Sequence, residues 1–207
     1  MSIINKLLAS AALFSTAAAF AAPVSFDFKD PKGVNNVQFN LDAPLEAISG
    51  TGTGIAGAVS FDPANPAATT GKITLATASL TVGNPMMKDH LQGKMWLDVA
   101  VNPEISFEAI SLANVKTVAD KTTATVTGKL TIKGITKEIT APVSLTYLPG
   151  KLGARLGKAD LKGDLLVLRT QFEVNRSDFG LMPGKMTEKV SETINVTLNL
   201  AGAAAQP

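Results

Sequence analysis

The stretch ATVTGKLTIK, residues 124–133, alternates strictly between two kinds of side chain. A period of two is typical of a β-strand with one buried and one solvated face. Residues 139–147 repeat the pattern, and Gly134 lies in the short connection, so the pair predicts a β-hairpin. Pro142 within the second strand indicates an edge, or an N–H position that the ladder does not need. The predicted inward residues are Val126, Gly128, Leu130, Ile132, Ile139, Ala141, Val143, Leu145 and Tyr147.

Six further segments alternate in the same way, which makes eight predicted strands from residue 35 onward. The segments are 37–41, 55–61, 72–82, 105–112, 166–174 and 194–200. The apolar face changes within 72–82 at Leu80, and within 105–112 at Ile110, and each change indicates a β-bulge. The glycines of residues 50–54 superficially resemble a phosphate-binding loop, but no Lys-Ser or Lys-Thr follows them, so they predict a flexible connection.

Strands with one apolar face, joined mostly by short loops, predict an antiparallel sheet in an all-β fold. Eight of them suit either a sandwich or a closed barrel. A barrel of about eight strands is wide enough to fill itself with side chains or to hold one slim ligand. Aromatic residues make up only 5% of the chain, and many inward positions are small, which favours a cavity.

The composition limits where the protein works and what it binds. Residues 1–21 carry Lys6, an apolar run and an Ala19-Phe20-Ala21 cleavage pattern, which predict a signal peptide and a secreted mature domain of residues 22–207. The chain has no cysteine, so thiol catalysis and thiolate metal sites are excluded. A formal net charge of +2 without basic runs argues against a nucleic-acid partner.

One segment, GNPMMKDHLQGKMWLDV at residues 83–99, breaks the period of two. Asn84 is a good N-cap, Pro85 suits the first helical position, and Gly93 suits the residue after a helix end. We therefore predict a two-turn helix over 85–92, inserted between strands.

His90 is the only histidine, and helical spacing places it in an apolar arc with Met86, beside Met87 and Leu91. It is a candidate structural residue, head-group contact, metal ligand or general base. A second histidine is missing and no nucleophile-elbow pattern occurs, so we expect neither a catalytic site nor an enzyme.

The methionines form two sequence clusters in predicted loops and allow two interpretations. Thioethers with one imidazole suit Cu(I), which makes a methionine-based copper protein the alternative function. Flexible methionines also line adaptable apolar surfaces, and we favour this interpretation. The mature chain carries Met86, Met87, Met95, Met182 and Met186.

Arg176 and Phe179 stand in a predicted turn with Asp178 and Gly180. Arg176 either clamps a polar head group or braces the end of the fold through Asp178 and loop carbonyls. Trp96, the only tryptophan, is expected to be half-buried as packing or as a ligand wall.

Three motifs in this order resemble the YceI-like family of secreted bacterial proteins. They are VGNPMMKDHLQGKMWLDVAVNPEISFEA at 82–109, VTGKLTIKGITKEITAPVSL at 126–145 and VNRSDFGL at 174–181. The resemblance implies an eight-stranded antiparallel lipocalin-like barrel with a short helix between strands. It further implies a periplasmic protein that binds, transports or stores a polyisoprenoid, such as a quinone tail, in an apolar channel.

We therefore predict a lipid ligand, no metal and no cofactor besides a bound polyisoprenoid or quinone-like lipid. Transient membrane contact and a homodimer are left open, and a ligand-free stress or interaction barrel is a further alternative. The predicted ligand-binding residues are Met86, Met87, His90, Leu91, Met95, Trp96, Phe107, Phe172, Arg176, Phe179 and Met182.

Overall fold

The computed structural model describes residues 22–206, so the predicted signal peptide and Pro207 lie outside the described residues. The strands β1 to β11 are Val24–Asp27, Asn36–Asp42, Ala47–Gly52, Ile55–Phe61, Thr70–Ala76, Thr81–Val82, Glu104–Val118, Lys121–Ile132, Ile135–Leu148, Gly163–Asn175 and Thr193–Ala205. The α-helices are α1, Pro85–Gln92, and α2, Leu152–Leu156. Short 3₁₀ turns occupy Pro66–Ala68, Thr77–Ser79 and Arg176–Phe179. None of the helices described within 22–206 has the length and apolar character needed to cross a membrane.

All eleven strands belong to one antiparallel sheet, which closes into a barrel. Eight of them follow the ring order β1-β4-β5-β7-β8-β9-β10-β11, and β1 pairs back to β11 where Asp27 faces Ala203. Strand β2 pairs with β11 closer to the start of β11, from Asn195 facing Asn40 to Asn199 facing Asn36. Strands β3 and β6 follow β2 in the sheet. The predicted eight-stranded antiparallel barrel with a short helix between strands is confirmed.

The break between β1 and β2 is filled by the side chain of Asn35. Its amide nitrogen donates to the carbonyl oxygens of Phe28, at 2.9 Å, and Ala201, at 3.1 Å. Its amide oxygen accepts from the backbone N–H of Ala201 at 2.8 Å. The side chain therefore supplies β11 with the donor and acceptor that a continuous strand would have offered.

The loop that makes this break is held by an ion pair between Asp30 and Arg155 of α2. Two guanidinium nitrogens donate to the carboxylate at 2.8 and 3.1 Å, and the backbone N–H groups of Val34 and Asn35 add further hydrogen bonds. Together, and against the opposing effect of burial, these contacts hold the pKa of Asp30 well below its usual range.

The predicted hairpin forms as β8 and β9, with the predicted residues facing the core. Pro142 lies just beyond the β9–β10 ladder, which begins where Val143 faces Thr170. Its missing N–H therefore leaves no ladder position unfilled, as predicted. On the outer face, threonine hydroxyls pair across the strands, for example Thr131 with Thr136 at 2.8 Å.

Two predictions about strands are wrong, and a third is confirmed only in part. Of the predicted flexible connection 50–54, residues 50–52 belong to β3 and only 53–54 connect two strands. Gly50 leaves room there for the ring of Phe39, since a Cβ on Gly50 would lie 2.1 Å from Phe39 Cζ. The face change in 72–82 is the 3₁₀ turn Thr77–Ser79, which separates β5 from β6, and not a bulge. The bulge in β7 exists, but Ile110 is its outward residue.

The barrel end farther from α1 is closed by aromatic side chains. Phe26 and Phe61 are almost fully buried, and their ring centroids lie 6.2 and 6.1 Å from that of Tyr147. The Tyr147 hydroxyl donates to Asp164 Oδ2 at 2.8 Å, while Asp164 Oδ1 accepts from the Gly150 N–H at 2.8 Å. Burial, with the hydrogen bond to and the charge of Asp164, raises the pKa of Tyr147 to about 12.

We expect the phenol of Tyr147, the only tyrosine, to ionise near pH 12 in the folded protein and near pH 10 in urea. Because the folded-state pKa is the higher one, this group stabilises the fold below about pH 10 and loses that effect as the pH rises towards 12. Ultraviolet titration of the tyrosinate band measures both midpoints. A folded-state midpoint near that of the unfolded chain would contradict the assignment.

Candidate ligand-binding cavity

The barrel contains two adjacent cavities. The first, here called the helix-end chamber, lies beneath α1 and has a volume of about 170 Å³. Its wall is composed almost entirely of aliphatic and aromatic side chains. They are Val37, Phe39, Leu41, Ile55, Ile73, Leu75, Leu80, Leu91, Trp96, Leu97, Ile105, Phe107, Leu130, Ile132, Phe172, Val174, Leu181, Ile194, Val196 and Leu198, with Thr74 and Ser106 as the polar members.

The second cavity, here called the central chamber, lies between the first and the aromatic closure and measures about 100 Å³. Val126, Val143 and Leu168 belong to its wall, and Thr69, Thr70 and Thr170 are its polar members. Four residues line both chambers and form the boundary between them, here called the constriction. They are Ile73, Phe107, Phe172 and Leu198.

Helix α1 covers the end of the helix-end chamber. Its start is capped by Asn84, whose side-chain oxygen accepts from the N–H groups of Met86, at 2.9 Å, and Met87, at 3.2 Å. At its other end, the Gln92 amide donates to the carbonyl oxygens of Ala78, at 3.1 Å, and Leu80, at 3.3 Å. The predicted helix 85–92 and its caps are confirmed, and the two attachments direct the adjacent Leu91 into the chamber.

Arg176 holds the loop on the other side of the same opening and is fully buried. Its guanidinium Nη2 lies 2.7 Å from Glu192 Oε1, and Glu192 in turn accepts from Ser177 Oγ and the Gly184 N–H. The guanidinium also donates to five backbone carbonyl oxygens, those of Leu181, Met182, Lys185, Val190 and Ser191.

This arrangement decides between the two interpretations of Arg176. All three guanidinium nitrogens are engaged by the loop, so the prediction that Arg176 clamps a ligand head group is corrected: it braces the barrel end. The acidic partner is Glu192 rather than Asp178. The guanidinium carbon also lies 5.7 Å from the ring centroid of Trp96. This cation–π contact links the loop held by Arg176 to the segment that follows α1.

Four of the predicted site residues face the chambers. Leu91 and Trp96 line the helix-end chamber, and Phe107 and Phe172 line both. Each of these side chains is half-buried and packs against the core cluster. The structure therefore brings them together around the two adjacent apolar chambers.

The remaining predicted residues do not line either chamber. Met86 and Met95 are 69% and 62% exposed, and His90 is exposed as well, so their predicted inward orientation is wrong. Helical spacing grouped Met86 with His90 correctly, but the docked face of α1 is the neighbouring one that carries Met87 and Leu91.

Three further residues occupy other places. Met87 lines a surface groove between β3 and α1, and Phe179 is buried in the core. Met182 is half-buried in the loop held by Arg176, with a positive φ of 49°. Copper binding by the methionines stays a prediction; within the described chain, no group of three histidine or acidic side chains could hold a metal ion.

Most chamber-wall residues outside the predicted site could have been predicted from the sequence, because they are the inward members of alternating strands. Val37, Leu130 and Val196 are examples. Leu97 and Leu181 lie outside the alternating segments, and only the folded loops place them at the chamber.

Neither chamber has a charged or titratable side chain on its described wall. Such a space offers apolar contact and a few hydroxyls, but no acid–base pair for proton transfer. It is suited to an uncharged, apolar group that leaves water on binding.

The fold and this site define a closed antiparallel β-barrel with an internal apolar cavity. The chain belongs to the YceI-like family, since residues 30–201 match the YceI-like domain. It is 34% identical over 156 residues to a UPF0312 protein of Pseudomonas savastanoi pv. phaseolicola, an alignment that covers 75% of this chain and 73% of that relative.

Two solved structures share the fold. BcnA of Burkholderia cenocepacia has a TM-score of 0.66 and 25% sequence identity, over 81% of this chain and 95% of BcnA. A polyisoprenoid-binding domain from Saccharophagus degradans has a TM-score of 0.62, over 88% of this chain and 99% of that domain. Because its sequence identity is only 10%, that second likeness shows the fold alone.

Proposed function

We propose that this protein binds a polyisoprenoid or a similar amphiphilic lipid, with the apolar tail inside the barrel. The observation that carries the proposal is the pair of adjacent chambers with uncharged, mostly apolar walls. A polyisoprenoid is the ligand that the resemblance to the YceI-like family implies, and residues 30–201 match that family. Leu91, Trp96, Phe107 and Phe172 would contact the tail.

Desolvation would supply the affinity. Each buried CH₂ contributes roughly 0.8 kcal/mol, so a tail of a few prenyl units can exceed the cost of ordering ligand and protein. The wall offers no partner for a charge, and the donors of Arg176 are occupied, so we expect an uncharged or solvent-facing head group. An uncharged, mostly apolar wall supports a binding role.

The predicted signal peptide supports a periplasmic location, where such a protein would transport or store the lipid. A tail that leaves a bilayer needs a carrier that touches the membrane, so transient membrane contact belongs to the proposal. The cavity lies within a single barrel, so one chain is sufficient for binding whether or not a homodimer forms.

Mass spectrometry of organic extracts tests the proposal. Protein purified without detergent is extracted, and a second sample is first incubated with prenyl quinones and passed through gel filtration. We expect about one prenyl lipid per folded chain in at least one sample. Protein that yields no lipid and retains none after incubation would contradict the proposal.

A further inference from the structure

We propose, resting on the proposed function, that the constriction limits the length of the tail that the barrel accepts. In this view Phe107 and Phe172 are specificity-determining residues. A short tail fills the helix-end chamber, and a longer one reaches the central chamber only by displacing their rings.

The position of the constriction in the barrel supports this role. Ile73 of β5 and Phe107 of β7 are cross-strand partners, so they project from the same part of the wall. Phe172 of β10 and Leu198 of β11 project from the opposite part, because β5 and β10, and likewise β7 and β11, stand four places apart around the ring of eight. The two pairs therefore face each other across the barrel.

The ring of Phe107 has a defined seat on the neighbouring strand. A Cβ built on Gly128 of β8 would lie 2.3 Å from Phe107 Cζ and 2.6 Å from the Glu108 carbonyl oxygen. Gly128 leaves the space that the ring occupies. The ring is thereby held where the two chambers meet. In this position it is suited to limit the length of a bound tail.

The chamber sizes indicate where the limit falls. An apolar cavity of roughly 150 Å³ accepts benzene. The helix-end chamber, at about 170 Å³, is therefore suited to about one or two prenyl units. The central chamber, at about 100 Å³, would hold roughly one more once the constriction opens.

The test measures dissociation constants for prenol, geraniol, farnesol and geranylgeraniol. These alcohols share one head group and differ only in the number of prenyl units. For the wild type we expect affinity to rise up to geraniol and then to level off. In Phe107→Ala the affinity should continue to rise, with farnesol bound about tenfold more tightly than geraniol.

Phe28→Ala is the matched control, because Phe28 is a fully buried ring that lines neither chamber. It should leave the length at which affinity levels off unchanged. Phe172→Ala removes the opposite ring and should reproduce the effect of Phe107→Ala. This second variant keeps the test decisive if Phe107→Ala does not fold.

The outcomes separate this inference from the proposed function. If the wild type binds the alcohols but neither ring-deleting variant alters the dependence on length, the inference is overturned and lipid binding stands. If the wild type binds none of the four alcohols and no prenyl quinone, the proposed function fails, and the inference fails with it.

Discussion

Replacing Arg176 with methionine is expected to lower the free energy of unfolding by about 3–5 kcal/mol. The change leaves five backbone carbonyl oxygens without their donor and leaves Glu192 without its cationic partner. For a chain of this size, that loss corresponds to a fall in Tm on the order of 10 °C. Urea denaturation at neutral pH and a thermal melt measure the two quantities.

Arg169→Met is the matched control, since Arg169 lies on β10, the strand that leads into Arg176, but is exposed. It should change the free energy of unfolding by no more than about 0.5 kcal/mol. A loss of similar size in both variants would show that Arg176 has no special bracing role. Because Leu181 belongs both to the braced loop and to the chamber wall, Arg176→Met should also weaken ligand binding.

Filling the helix-end chamber is expected to abolish lipid binding while the barrel stays folded. Val196 lines this chamber and lies between its cross-strand partners Phe39 and Phe172. A tryptophan at position 196 would occupy space meant for the tail, so we expect at least a tenfold loss of affinity for a prenyl quinone. Overpacking should lower the free energy of unfolding by about 1–3 kcal/mol.

Thr197→Trp provides the comparison, because its side chain adds a similar bulk on the outer face of the same strand. Its affinity for the quinone should stay within about twofold of the wild type. Isothermal titration calorimetry gives the affinities, and thermal melts confirm folding. If a folded Val196→Trp variant binds the quinone as tightly as the wild type does, the ligand must bind outside this chamber.

The strands were predictable wherever apolar side chains mark the inner face. Residues 124–133 and 139–147 formed the predicted hairpin because each inward position carries its own apolar or small side chain. Strand β3 was missed because its inward positions include Gly50 and Gly52. There the core is filled by side chains of other strands, such as Phe39, and a glycine does not reveal which ring will cover it.

The site was predictable in part. Capping residues determine where a helix begins and ends, so α1 was bounded correctly by Asn84 and Gly93. They do not determine which face docks. That choice came from the side chain of Gln92, which hydrogen-bonds to Ala78 and Leu80 and turns Leu91 inward while Met86 faces solvent.

The presence of a cavity could not be derived from alternation, because a filled and a hollow barrel have the same inward pattern. The volume depends on how rings such as Phe107 stack on neighbours such as Gly128, which is a property of register and rotamer. Likewise, the partner of Arg176 proved to be Glu192, which lies sixteen residues away and is brought near by the closing of the loop.

Fluorescence titration of Trp96 tests the central claim most directly. It is the only tryptophan of the chain and lines the helix-end chamber, so all tryptophan emission comes from the wall of that chamber. Titration with a short-chain prenyl quinone is predicted to quench this emission saturably, at about one ligand per chain. The same quinone without a tail should cause no saturable quenching. Saturable quenching by the tail-less quinone alone, or no saturable quenching by either compound, would contradict the account.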